Sequence, residues 1–154
     1  LHEELQRLEY YLSLEQMRFG DRMNWSITID PAIDPYHTEI PNMIIQPFVE
    51  NSIWHGIMPS AQKGIIALHL NPGTDGSIEI TVTDNGVGFG YQQTNDKAEH
   101  ISRGTRLIQE RLLLLDPSAK NVLLFEHLSP GTRVRITLTA KMLSKAGELE
   151  AAAP

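Results

Sequence analysis

The sequence predicts an α+β sandwich, in which helices cover one face of a mixed, mostly antiparallel sheet. Most strand-like segments, with alternating apolar and polar residues, occur as neighbouring pairs joined by short turns. Helix-like segments, with apolar residues at spacings of three and four, lie between these pairs. Paired neighbouring strands favour antiparallel hydrogen bonding, and the helices between the pairs can bury their apolar sides against one face of the sheet.

These patterns give the elements in order along the chain. Helices are predicted at residues 1–19, 42–57 and 105–115, and strands at residues 23–29, 65–70, 78–82, 122–127 and 133–139. The first helix carries a narrow seam of leucines at positions 1, 5, 8 and 12. Pro47 is expected to lie near the first turn of the second helix, or to kink it. Residues 84–103 predict a long loop, which inside a compact domain is more often functional than idle.

The chain divides into three predicted parts. Residues 1–20 form a helix that leads into a globular domain at residues 21–142. Residues 143–154 are mostly small and polar, and we expect them to form a disordered tail. A length of 154 residues, with 41% hydrophobic and 21% charged side chains, suits one domain with its own core.

Charge and composition exclude several classes of function. The formal net charge is −6 and there is no basic block, so nucleic acid and anionic membrane surfaces are poor candidate ligands. The absence of cysteine excludes disulfides and thiolate metal sites. No stretch approaches the roughly 20 apolar residues that a membrane span needs. Phosphate groups would have to be bound locally, by a few donors and a metal ion.

One candidate group lies in the second predicted helix, where Asn51 and His55 are four residues apart and project from the same face. The neutral carbonyl oxygen of Asn51 could complete a Mg²⁺ shell made mostly of phosphate oxygens and water. For these two residues alone, a solvated pair on a helix surface is the more common explanation.

Three more groups follow at the ends of predicted elements. Asp84 ends a strand and can accept a hydrogen bond from an exocyclic amine, and the glycines after it permit close approach of a ligand, although Asn-Gly is also a common hairpin turn. Gly104 and Thr105 open a helix after the long loop, a position that suits phosphate but also suits an ordinary helix start. Gly131 forms a turn, and the hydroxyl of Thr132 could assist Asp84.

In their fixed order, these groups give the chain a resemblance to the GHKL ATPases with the Bergerat fold, and within them to the LytS-like sensor histidine kinases. Residues 84–89 match the G1 box of that superfamily, and residues 47–56 resemble its N box in the Pro-Phe-Val-Glu-Asn form of the LytS-like branch. Residues 15–21 are similar to the segment that leads into the domain, residues 109–112 to the end of the G2 helix, and residues 131–132 to the last box.

This resemblance covers most of the chain and implies a site for ATP and Mg²⁺. Asn51 would hold the Mg²⁺, and Asp84 would bind the adenine amino group with support from Thr132. Residues 90–103 would form a lid. The other implied site residues shape the pocket, lie near the nucleotide or act in catalysis: Gly86, Gly88, Gly104, Thr105, His55 and Glu50.

The same resemblance implies a two-component sensor histidine kinase, in which this catalytic domain transfers the γ-phosphate of ATP to a histidine. In the LytS-like branch that histidine lies in a His-Phe-Leu-type motif on dimerisation helices, and no histidine here is followed by an aromatic residue and Leu. We therefore expect the acceptor on a dimerisation domain absent from this chain, with residues 1–20 as the end of the connecting helix. A response regulator would act downstream. The domain is expected in the cytoplasm, without membrane contact of its own, as part of a membrane-anchored parent.

Several departures from the family pattern keep alternatives open. Trp54 stands where the LytS-like branch usually has Lys, Ser102 where it has Gly, and Thr105 and Leu107 where it has Leu and Asn. A non-catalytic regulatory module, which holds a protein partner with weak or no nucleotide binding, is the alternative. A conformational ATPase like the gyrase B subunit or MutL is disfavoured, because those proteins carry a water-activating Glu where this chain has Pro47.

Overall fold

The computed structural model describes residues 1–88 and 103–151. In this part of the chain the helices are α1 (His2–Phe19), α2 (Gln46–Asn51), α3 (Arg103–Leu115) and α4 (Ala140–Ala151). The strands are β1 (Met23–Ile29), β2 (Gly64–Pro72), β3 (Ile78–Asp84), β4 (Leu123–His127) and β5 (Thr132–Leu138). Short 3₁₀ turns lie at Gly20–Arg22 and Thr74–Gly76. Among the helices described, none is long and apolar enough to cross a membrane.

The strands form one sheet in the order β1-β2-β3-β5-β4. β1 pairs with β2 in parallel, whereas β2 with β3, β3 with β5, and β4 with β5 are antiparallel pairs. The parallel pair is possible because the connection from β1 to β2 contains α2, and a parallel pair needs such a crossover. The predicted mixed, mostly antiparallel sheet is confirmed.

The two faces of the sheet differ in composition. Alternate residues of β3 and β5 are buried, as expected for a sheet with one covered face. The covered face carries aliphatic side chains from both strands: Ile78, Ile80, Val82, Val134, Ile136 and Leu138. The other face carries polar side chains, among which Arg135 pairs with Glu79 at 3.4 Å and with Glu126 at 3.3 Å. The prediction that the helices pack on one face is confirmed.

Helix α1 belongs to the same core as the sheet. Its leucine seam is buried, with Leu8 at 0% and Leu12 at 1% exposure, and it packs in one cluster with residues of β2, β3 and β5. Each such side chain contributes about 1.5–3 kcal/mol when it is removed from water. The predicted boundary at residue 20 therefore does not separate two cores.

Helix α4 occupies most of the segment for which the sequence predicted a disordered tail, residues 143–154. The helix extends to Ala151 and packs against α3, with Met142 and Ala146 buried. These two residues are four apart and share one helix face, so a short apolar stripe is enough to dock a helix of good helix formers. The Thr139 hydroxyl accepts a hydrogen bond from the N–H of Met142 at 3.3 Å and so caps the first turn.

The second predicted helix is shorter than residues 42–57. It begins at Gln46, with Pro47 in its first turn, because proline has no N–H to donate there and its fixed φ suits that position. Just before it, Met43 has a φ of 57°, which is incompatible with a right-handed helix. After Asn51 the helix continues as a π-helical turn, Ser52–Ile57.

Candidate nucleotide site

The site is centred on Asp84, the last residue of β3, whose side chain is buried at 4% exposure. Its Oδ1 accepts a hydrogen bond from the N–H of Gly86 at 2.8 Å, and its Oδ2 accepts one from the hydroxyl of Ser52 at 3.0 Å. The backbone N–H of Thr132 also bonds to this carboxylate. Burial raises the pKa of Asp84, and these three hydrogen bonds oppose the rise.

Asp84 retains capacity to bind a ligand. A carboxylate has about four acceptor positions, and the donors from Ser52, Gly86 and Thr132 occupy three of them. No cation forms an ion pair with Asp84 among residues 1–88 and 103–151. The buried carboxylate is thus suited to accept one more hydrogen bond, from a ligand that brings its own donor.

Three backbone segments meet around Asp84, and two glycines permit the approach. A Cβ on Gly86 would collide with the backbone of Gly56 in the π-helical turn, and a Cβ on Gly131 would collide with the carbonyl oxygen of Asp84. Gly131 also has a φ of 106°, which favours glycine. The N–H of Val87 donates to the carbonyl of Gly56 at 3.0 Å and ties the segment after β3 to the end of the N box.

The N box supplies Asp84 with neighbours that the sequence did not identify. Ser52 is buried against the carboxylate, and a Cβ on Gly56 would lie 2.8 Å from its Oδ1. Ser52 and Gly56 are four residues apart, so they fall on one helix face, and this spacing could have revealed them. Their turn is π-helical, a rare geometry that occurs frequently at functional sites.

The predicted N-box residues flank Ser52 in the sequence. Asn51 is the last residue of α2 and is half-buried, and its side chain makes no hydrogen bond with another residue in the described ranges. His55 is exposed on the π-helical turn. Glu50 is half-buried and accepts a hydrogen bond from the Gln46 side chain at 2.8 Å. The amide oxygen of Asn51 is therefore available to a ligand, whereas the Glu50 carboxylate has an internal partner.

The remaining predicted residues lie at or just beyond the ends of β3, α3 and β5. Gly88, with a φ of 75°, is half-buried, and a Cβ there would lie 2.8 Å from the His127 ring. Gly104 is exposed and Thr105 is buried in the first turn of α3. Thr132 begins β5, directly opposite Asp84. The predicted lid, residues 90–103, falls almost entirely outside the described residues, and so does Ser102.

Trp54, which stands where a cation was expected, contacts α1. The guanidinium of Arg18 lies 5.3 Å from the centre of its ring, within the range of a cation–π interaction. Its side chain also hydrogen bonds to Tyr11, and this bond partly offsets the effect of burial, which raises the pKa of Tyr11. The substitution therefore couples the N box to α1.

Sequence comparison finds sensor proteins among the relatives. The chain is 43% identical over 89 residues to the sensor protein LytS of Oceanobacillus iheyensis, covering 58% of this chain and 15% of that protein. It is 28% identical over 138 residues to the sensor histidine kinase YpdA of Escherichia coli, covering 87% of this chain and 23% of that protein. The chain thus spans less than a quarter of either relative. No family model matches it.

Structure comparison finds the same fold in a histidine kinase. The histidine kinase domain of the blue-light activated histidine kinase from Erythrobacter litoralis superposes with a TM-score of 0.61 at 19% identity, covering 96% of this chain and 64% of that one. At this identity the structural likeness establishes the fold alone. The similarity in sequence is to the LytS sensor proteins. By fold and by sequence, the chain is an ATP-binding domain of the sensor histidine kinase type, from the LytS-like branch.

Proposed function

We propose that this domain binds ATP with Mg²⁺ and donates the γ-phosphate to a histidine on the dimerisation domain of its parent protein. The observation that carries the proposal is the buried Asp84 carboxylate, which lies in a cradle of glycine backbone and has one acceptor position without a donor among residues 1–88 and 103–151. The polar residues of the site, Ser52, Asp84 and Thr132, come from three separate parts of the sequence. The pairing of β3 with β5 places Thr132 opposite Asp84.

The chemistry of Asp84 suits adenine. The exocyclic amino group of adenine is a donor, and the open acceptor position of the carboxylate can receive it. Guanine carries a carbonyl oxygen at the equivalent position, so its acceptor would face a carboxylate. The site is therefore expected to prefer ATP over GTP.

The residues present fit a Mg²⁺ ion bound through few protein ligands. Mg²⁺ usually keeps several waters and is shared between one or two side chains and the phosphates of a nucleotide. Asn51 offers a neutral oxygen with no competing hydrogen bond among the described residues. When bound, the ion would neutralise charge on the phosphates, and Asn51 would fix its place relative to the helix.

The site favours transfer to a protein over hydrolysis. The side chain at the position of the water-activating carboxylate is Pro47, which cannot accept a proton. Glu50 is the nearest carboxylate in sequence to Asn51, and we propose that it accepts the proton of the incoming histidine once its hydrogen bond to Gln46 is exchanged. The parent would lie at the membrane with this domain in the cytoplasm, and a response regulator would receive the phosphoryl group.

Calorimetric titration tests the binding half of the proposal. ATP with Mg²⁺ is expected to bind more tightly than ATP in EDTA, and GTP with Mg²⁺ is expected to bind weakly or not at all. Equal affinity for ATP and GTP would contradict the role of Asp84. Absence of any nucleotide binding would instead support the regulatory module, which the replacement of a cation by Trp54 favours.

A further inference from the structure

A buried carboxylate on α1 holds the backbone that begins the N-box helix. Glu4 is 3% exposed and lies on the same face of α1 as the leucine seam. Its Oε2 accepts a hydrogen bond from the N–H of Met43 and its Oε1 accepts one from the N–H of Ile45, both at 2.8 Å. Among the residues described, no cation pairs with Glu4, so these backbone groups are its partners.

The position of these two N–H groups gives Glu4 its importance. Ile45 precedes α2, and its carbonyl accepts the first hydrogen bonds of the helix, from Phe48 at 3.0 Å and Val49 at 3.3 Å. Glu4 accepts from the N–H of Ile45, the N-cap residue of α2, as the Glu of a capping box does within a single helix. Its negative charge lies at the N-terminal end of α2, which is the favourable end of the helix dipole. Ile45 is fully buried, so its N–H depends on Glu4 rather than on bulk water, whereas the left-handed Met43 is 54% exposed.

A second helix holds the same turn from the other side. Arg111 on α3 donates a hydrogen bond from its guanidinium to the carbonyl of Asn42 at 2.6 Å. The turn at residues 42–45 is thus connected to α1 through Glu4 and to α3 through Arg111. From this turn α2 extends for six residues, or about 9 Å, to Asn51. A tilt or shift at the start of so short a helix is transmitted to Asn51 at its end.

We propose that Glu4 is a positioning residue, which sets the place of Asn51 and so makes Mg²⁺-dependent nucleotide binding depend on how α1 is docked. This inference rests on the proposed function. It assigns to α1 a role beyond covering the core, because movement of α1 relative to the sheet would withdraw the Glu4 carboxylate from the turn that precedes α2. The contact of Arg18 with Trp54 connects α1 to the far end of the same segment.

The test compares Glu4→Gln with Glu3→Gln. Glu3 is the neighbouring residue on α1, its side chain is 77% exposed, and it forms an ion pair with Arg7 at 3.5 Å. The glutamine at position 4 has the same shape, but it offers only one oxygen and points an N–H₂ group at the second backbone donor. Amide hydrogen exchange in nucleotide-free protein is expected to accelerate at Met43, Ile45 and the first turn of α2 in the Glu4 variant, and not in the control.

The affinity for ATP is then measured with Mg²⁺ and with EDTA. Glu4→Gln is expected to reduce the gain in affinity that Mg²⁺ provides by about fivefold or more, the usual lower range of coupling between sites, while Glu3→Gln leaves it unchanged. A purely structural role would lower the melting temperature and accelerate exchange throughout the chain, with the Mg²⁺ gain intact. That result would overturn the inference.

Arg111→Gln provides an independent variant, because the residue is exposed and its loss opens no cavity in the core. It is expected to reduce the Mg²⁺ gain in the same direction, and it decides the question if Glu4→Gln does not fold. Normal ATP binding by the unaltered chain, with an unchanged Mg²⁺ gain in both variants, would refute the positioning role alone. Failure of the unaltered chain to bind ATP would refute the proposed function, and the coupling with it.

Discussion

Replacement of Asp84 by Asn should weaken ATP binding without lowering the stability of the free protein. The change keeps an oxygen for the N–H of Gly86 and gives Ser52 a donor in place of an acceptor, so the internal contacts can largely be kept. It removes the charge that would receive the adenine amino group. A hydrogen bond to a charged group contributes about 1.5–3 kcal/mol, which corresponds to a loss of affinity of about tenfold to a hundredfold.

The same change should not destabilise the free protein. Burial raises the pKa of Asp84 above its ordinary value, so this group stabilises the fold at pH values below the unfolded pKa, and that stability is lost as pH rises through the folded pKa. At neutral pH the ionised carboxylate is therefore a cost, which the neutral Asn does not carry. The melting temperature of Asp84→Asn at pH 7 is expected to equal or exceed that of the unaltered chain.

Two measurements on one preparation check this reasoning: a thermal melt without nucleotide and a calorimetric titration with ATP and Mg²⁺. Asp21→Asn, an exposed aspartate in the turn after α1, serves as the matched control. Unchanged ATP affinity in Asp84→Asn would remove the residue from the site. A melting temperature lowered by more than about 4 °C, or roughly 1 kcal/mol or more for a chain of this size, would show that the carboxylate is chiefly structural.

Further predictions concern the metal ligand, the glycine contact and acid stability. Asn51→Ala should abolish the gain in ATP affinity that Mg²⁺ provides. If the titration still shows that gain, Asn51 is not the ligand of the ion. Gly86→Ala should reduce ATP affinity at least tenfold, about 1.4 kcal/mol or more, because its Cβ would collide with the backbone of Gly56; wild-type affinity would contradict the close approach. Hydrogen bonds from Ser118 and Thr139 hold the pKa of Asp116 at about 2 in the folded protein. The stability that this carboxylate contributes is therefore present above its unfolded pKa and is lost as pH falls through the folded pKa. The melting temperature should therefore fall less steeply between pH 5 and pH 2 for Asp116→Asn than for the unaltered chain. An identical slope for the two proteins would contradict this role of Asp116.

Features that are set by residues close together in the chain could be predicted from the sequence. Alternation in residues 78–82 identified a central strand and its buried face, and Pro47 marked the first turn of the N-box helix. Asp84 is a candidate from the sequence because a carboxylate at a strand end can accept a hydrogen bond from an exocyclic amine, and the glycines after it permit close approach of a ligand. These signals lie within a few residues of one another, where hydrophobic period and turn chemistry dominate.

The sequence did not predict what depends on distant partners. Ser52 looks like an ordinary helix residue until β3 places Asp84 against it, 32 positions later. Glu4 reads as one more polar residue in the first turn of a helix, and its role appears only when residues 43 and 45 fold against it. Helix α4 is not apparent from the sequence, because its buried face consists of only Met142 and Ala146 and most residues around them are small or polar, as in a disordered tail.

The central claim is that this domain donates phosphate to a histidine outside the chain, and a labelling experiment tests it most directly. The chain is incubated with γ-labelled ATP and Mg²⁺, with and without the dimerisation domain of its parent protein. We expect acid-labile label on the added domain and none on the chain itself, because transfer requires a nucleophile positioned in line with the phosphate. Label on a histidine of the isolated chain, or no label on the added domain despite measured ATP binding, would contradict the account.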